Sequence, residues 1–184
     1  MKHINIDIRI QVENLIEKAS IYMKNFIMYV REDFVADTVE KKHNLQNHLY
    51  WLKEKIRLNQ SSEIQKPSTK WSIYYVDYGI NVGNEINGVR PSIMYKDSQY
   101  TFGEDIIVIP LTSDKPGKSV DIFDVEIIPD RDNRLRNTSY AKLRQIRSVS
   151  KKRIANGVGK ITDLATKDAI QDNLISMFGM KIPK

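Results

Sequence analysis

With 184 residues and a mass of 21.4 kDa, the chain has room for one ordinary domain and an appendage but not for two full domains. Apolar residues make up 41% and charged residues 28%, enough for a buried core and against wholesale disorder, while the net charge of +6 leans toward a polyanionic partner. The absence of cysteine excludes disulfide scaffolds, thiolate metal sites and cysteine nucleophiles, and no uncharged apolar run approaches the ~18 residues that a membrane span needs, so a soluble cytoplasmic protein is expected.

From the N-terminus, Val12, Ile16, Ala19, Met23, Phe26 and Val30 recur at alternating spacings of four and three, with Leu15 and Ile27 widening the stripe. That period predicts an amphipathic helix whose apolar face also suits a coiled-coil seam. A break is expected at Asp33–Thr38, where Asp37 and Glu40 are spaced as a capping box. Leu45, Leu49, Leu52 and Ile56 then mark a second helix. Residues 1–60 thus read as a helical extension, either an α-helical hairpin or one long bent helix. Residues 61–69, polar and carrying Pro67, read as a linker, and residues 70–184 as the main domain.

Beyond the linker the hydrophobic period shortens. Trp71–Tyr78 is rich in aromatic and β-branched residues and ends at Gly79, which predicts a strand. Further strands are expected at Arg90–Lys96, Asp105–Leu111, Ser119–Ile128 and Tyr140–Val149. Short strands with no helices between them predict a small antiparallel barrel, in an α+β chain that closes with a helix from Asp163 to Phe178. Thr162 is the expected N-cap of that helix.

Histidine offers no acid–base centre. His3, His43 and His48 all lie in the helical region, and His43 and His48 are five apart, which puts them on different sides of a helix. Neither a histidine-based metal site nor a serine–histidine–aspartate triad is supported, and no cofactor is expected. Positive charge, by contrast, gathers between Arg131 and Arg153, where nine basic residues face one acid, Asp132. Such a run reads either as a solvated basic face or as a phosphate-tracking surface. Upstream, the segment from Gly79 to Pro91 combines three glycines with three asparagines, a polar β-connection that tolerates unusual backbone angles and delivers Arg90 to the mouth of the next strand.

Three blocks in this order carry a resemblance. Gly83-Asn-Glu85 followed by Gly88-Val-Arg90-Pro91 is similar to the Gly-x-Glu-x-x-Gly-x-Arg-Pro signature of the MazF/PemK toxin endoribonucleases. Ile107 to Ser113, an apolar strand ending in Thr-Ser, resembles that family's second block. Ser139 to Arg153, a Gln-Ile-Arg strand before a Lys-x-Arg turn, resembles the third. Together they span roughly residues 71–178. The family begins directly at the first strand, often with an Arg-Gly pair, where this chain has Lys70-Trp71-Ser72 preceded by the helical extension.

The resemblance implies an SH3-like barrel (MazF/PemK/CcdB-like), a homodimer, and metal-independent cleavage of single-stranded RNA or mRNA, held in check by a cognate antitoxin. It assigns Arg90 and Thr112 as main catalytic residues and implicates Glu85 as a third. Asn84, Ser113, Gln145, Arg147, Lys151 and Arg153 are the expected RNA-binding residues, with Gln145 and Arg147 on one face of a strand. In that chemistry the ribose 2′-hydroxyl attacks the adjacent phosphorus, leaving a 2′,3′-cyclic phosphate and a 5′-hydroxyl, which also explains a preference for RNA. A guanidinium suits the charge that builds on the non-bridging oxygens. Two rival readings keep the barrel without catalysis: an RNA-binding regulator, or an inhibitor that grips a protein target as CcdB does. The helices are read either as a dimerisation element or as a segment that folds against the barrel and restricts its RNA groove.

Overall fold

The computed structural model describes residues 10–22, 24–25, 39–62, 69–96, 103–117 and 119–180. The chain forms two units, residues 1–50 and 51–184, with the boundary inside a helix. In the first unit residues 10–22 form helix α1, along which Ile10, Val12, Leu15, Ile16 and Ile21 are exposed. Helix α2, Val39–Gln60, runs across the boundary. The expected break at 33–38, Asp37 of the capping box, His3 and the core of the linker at 63–68 lie outside the described residues.

The second unit opens with the last turns of α2. Their expected apolar stripe is on the wrong side: Leu52 and Ile56 are exposed, while Trp51, Glu54 and Leu58, also spaced three and four, are the half-buried positions. The sheet follows. Strands β1 (Ser72–Asp77), β2 (Val89–Met94) and β3 (Asp105–Ser113) pair antiparallel in sequence order. Then come β4 (Val125–Ile127), β5 (Ser139–Ala141), β6 (Arg147–Ser150) and β7 (Ile154–Lys160). The pairing order is β4-β5-β3-β2-β1-β7, with β6 on the N-terminal half of β3 and β5 on its C-terminal end. Helix α3 (Leu164–Phe178) closes the unit.

Three expectations change. Tyr140–Val149 is not one strand but β5, a 3-10 turn at Leu143–Gln145, and β6, because Leu143 leaves the strand to bury fully in the core. Of Ser119–Ile128 only Val125–Ile127 pairs. The cap of α3 is Asp163 rather than Thr162: its carboxylate accepts from the Thr166 hydroxyl and the Thr166 amide, each at 2.7 Å, and these bonds, the hydroxyl's first, pull its pKa below the usual carboxylate range.

Nine-residue β3 explains how one strand serves two sides. Alternation sends Ile109 and Leu111 into a core with Ile73, Ile93, Leu143, Ile161 and Ile170, while Ile106 and Val108 join Val76, Tyr78, Met94 and Ile154 on the other face. Each fully buried aliphatic side chain contributes about 1.5–3 kcal/mol.

The expected closed barrel is not completed by a ladder between β4 and β7. Instead the turn after β4 reaches across: the Lys160 amide donates to the Asp132 carbonyl at 3.0 Å, and Thr162 Oγ1 to the Asp132 carboxylate at 2.8 Å. That turn is rigid, since Asn133 is 1% exposed and its side chain bonds the Asp130 and Leu135 amides and the Ile128 carbonyl. A Cβ on Gly159 would overlap both the Asp132 and Asn133 carbonyl oxygens. Gly159→Ala is therefore expected to cost about 1–3 kcal/mol in denaturant unfolding, because two backbone groups must shift. Gly157→Ala, whose Cβ would meet only the Tyr74 ring at 3.4 Å, should stay within about 0.5 kcal/mol of the parent.

Candidate nuclease site

The connection between β1 and β2 is a closed loop with a narrow neck. The Gly88 amide donates to the Gly79 carbonyl at 2.7 Å, and the Tyr78 amide to the Gly88 carbonyl at 3.0 Å. Gly79, Gly83 and Gly88 all have φ between 59° and 71°, which the neck and the bend require of residues without a side chain. Asn81 staples the interior, its amide nitrogen donating to the Tyr78 and Ile86 carbonyls. Tyr78 anchors the base: it is 1% exposed and its hydroxyl meets Ser92 Oγ at 2.8 Å. Burial pushes its pKa up to about 12, against smaller lowering from the Ser92 bond and the nearby Arg147 charge.

The loop's outer arm meets the third sequence block. Gln145 Oε1 accepts from the Ile86 amide and its Nε2 donates to the Asn84 carbonyl, each at 3.3 Å. Arg147 donates to Glu85 Oε2 at 3.3 Å, and its guanidinium stands 5.9 Å from the Tyr78 ring centroid. Groups about 60 residues apart in sequence thus converge. Gln145 and Arg147 do so from different elements, the end of the 3-10 turn and the start of β6, and not as two positions of one strand face.

Arg90 lies directly across from Val76 on β1, half-buried, with Nε donating to the Asn87 carbonyl at 3.0 Å. On the other side of β2 the register is Met94↔Val108, then Ser92↔Pro110. The ladder ends at that pair: Arg90 and Thr112 each lie two residues past it, on the alternation face of Ser92 and Pro110, and Thr112 pairs instead with Tyr140 of β5. Thr112 itself is 6% exposed, and its hydroxyl is a buried oxygen with no hydrogen-bond partner. Such an orphan costs stability and marks either strain or a role with a ligand. Ser113, next in the chain, is exposed at the end of β3 opposite Ser139.

The basic run is not one solvated face. Lys142 pairs with buried Asp124, and Arg144 with Asp121 at 3.0 Å. Two expected RNA contacts are engaged elsewhere. Lys151 is 6% exposed, its ammonium donating to the Gly103 carbonyl at 2.7 Å. Arg153 donates to the Asp77 and Tyr78 carbonyls at 3.2 and 3.1 Å, and burial lowers its pKa. Arg131, Arg134 and Lys160 instead line an open concavity beside Asp132. Binding to single-stranded RNA should accordingly show a log K against log salt slope well short of the roughly −6 that nine phosphate contacts would give. Among the described residues no group of three or more histidines and carboxylates is disposed to hold a metal ion, and no helix is long and apolar enough to cross a membrane.

Residues 69–178 match the family of PemK-like, MazF-like toxins of type II toxin–antitoxin systems. The chain belongs to this family. The fold agrees: MazF from Deinococcus radiodurans superposes with a TM-score of 0.52 at 19% identity, over 63% of this chain and all of that one. An endoribonuclease in complex with its cognate antitoxin from a mycobacterial species is similar at 18% identity and a TM-score of 0.49, over 64% of this chain and all of the other. No curated protein matches the sequence. For this PemK/MazF-like toxin the match begins at residue 69, so α1 and α2 are additions to the family domain.

Proposed function

We propose that this toxin is a metal-independent endoribonuclease that cuts single-stranded RNA, with mRNA as its cellular substrate, and that a cognate antitoxin restrains it. Supporting this reading is the meeting of Glu85 with Arg147 and of Asn84 with Gln145, in the loop whose far end Arg90 holds through the Asn87 carbonyl. In the reaction Glu85 accepts the proton of the 2′-hydroxyl as its oxygen bonds to phosphorus. The bond from phosphorus to the 5′-oxygen breaks, and that oxygen takes up a proton from solvent water, giving a 2′,3′-cyclic phosphate and a 5′-hydroxyl. Arg90 stabilises the charge on the non-bridging oxygens, with Thr112 as a further donor. Asn84, Ser113, Gln145 and Arg147 hold flanking nucleotides. The groove between α3 and strands β3 and β6, lined by Tyr95, Ile107, Leu174 and Phe178, is apolar enough for a protein partner, and it is the surface at which the homodimer is proposed to form.

One observation favours the non-catalytic reading, an RNA-binding barrel: the Thr112 hydroxyl is sealed from solvent. A single assay separates the two. The full-length protein is incubated with mixed-sequence RNA in EDTA, and the new ends are mapped and tested for 5′-hydroxyl and cyclic phosphate. Cleavage with those ends supports the enzyme, binding without cleavage supports the regulator, and neither leaves an inhibitor of a protein target.

A further inference from the structure

Trp51 precedes the residues matched to the family, yet its indole lies on the candidate site's own loop. A Cβ placed on Gly79 would overlap the indole's ring carbons, so the ring sits flush against the backbone at the loop's neck. Gly79 is needed there twice over, for its φ of 71° and for the space that the indole fills. The same ring faces Arg153, whose guanidinium is 5.0 Å from the ring centroid and whose Nη1 holds the Asp77 and Tyr78 carbonyls just before that neck. Lys152 completes the attachment by donating to the Asn59 carbonyl at 3.3 Å, one of the last carbonyls of α2, which have no partner within the helix.

The loop is therefore gripped at two places. Gln145 and Arg147 hold its outer arm, and Trp51 with Arg153 holds its neck. Between them lie Asn84, Glu85 and, just beyond Gly88, Arg90. We propose that Trp51 is a positioning residue for the nuclease site, fixing the Gly79–Gly88 neck so that Glu85 and Arg90 keep the separation their chemistry needs. This rests on the nuclease reading above, because a loop with no reaction to run would need no such grip. The last turns of α2, from Trp51 onward, thereby become a working part of the site through one aromatic side chain.

The test uses full-length protein with Trp51→Ala and Trp51→Phe. Hydrogen exchange of the amides at 80–88 should speed up about tenfold in the alanine variant, while the amides of β2 and β3 keep their parent rates. RNA cleavage should lose about tenfold in kcat with KM within about twofold, since of the residues that hold flanking nucleotides only Asn84 is in the loosened loop, while Ser113, Gln145 and Arg147 stay in place. Trp51→Phe, which keeps an aromatic face over Gly79 and against Arg153, should restore most of both. Unchanged loop exchange in Trp51→Ala overturns the proposal, as does acceleration spread evenly over the whole sheet, which would mean only lost stability. Equal or faster cleavage by Trp51→Ala also overturns it and marks the segment as a cover instead. If the parent protein cuts no RNA, the nuclease reading fails by itself, and the exchange experiment still decides whether the indole holds the loop.

Discussion

Arg90→Ala is expected to slow RNA cleavage by about two to three orders of magnitude, the range found when one donor to a developing oxyanion is removed. The guanidinium is half-buried at the start of β2, and its Nε–H is committed to the Asn87 carbonyl at the end of the β1–β2 loop. That bond leaves the terminal nitrogens, with the remaining donors of the planar fork, to meet phosphate oxygens. Arg90→Lys should recover only part of the rate, because an ammonium keeps the charge and loses the fork. Single-turnover cleavage read beside binding of a 2′-deoxy analogue, which cannot react, separates chemistry from affinity. A variant that cuts at the parent rate, or that loses binding and cleavage in equal measure, would remove Arg90 from the chemical step.

The second large effect has opposite signs in two measurements. Thr112→Val should make the protein more stable and less active. Its hydroxyl is buried without a partner, and such a group costs about 1–3 kcal/mol relative to an apolar isostere. A gain near 1 kcal/mol, or a rise in Tm of about 2–4 °C, is expected from thermal unfolding. If the hydroxyl donates to the phosphorane, cleavage falls about tenfold to a hundredfold at the same time. Stability kept for function in this way is a known trade at active sites. Greater stability with unchanged cleavage would show that the hydroxyl plays no chemical part.

Strands β1 to β3 are legible in the sequence because their β-branched and aromatic residues alternate between two cores and give way to Gly79, Asp97 or Asp114 soon after. Strand β7 is not, since Ile-Ala-Asn-Gly-Val-Gly-Lys reads as punctuation. Its glycines are there for contacts that only the fold creates, Gly157 under the Tyr74 ring and Gly159 against the Asp132 and Asn133 carbonyls. The site divides the same way. Glu85 and Arg90 can be read from a local signature, whereas Lys151 stands in a run of like charges that normally faces water. What buries it is a carbonyl 48 residues away, at Gly103. Helical spacing passes over Trp51 for the neighbouring Leu52 and Ile56, because it counts apolar residues and does not show where a flat ring finds a glycine.

The turn at Asp130–Asn133 has a consequence for assembly. Where Lys160 and Gly159 would otherwise show unpaired backbone at the rim of the sheet, the position is already taken by the Asp132 carbonyl and locked by Asn133. A foreign segment cannot extend the sheet at that rim by adding a strand. A partner that docks at this seam must therefore do so through side chains, selected by shape and charge and not by backbone pairing.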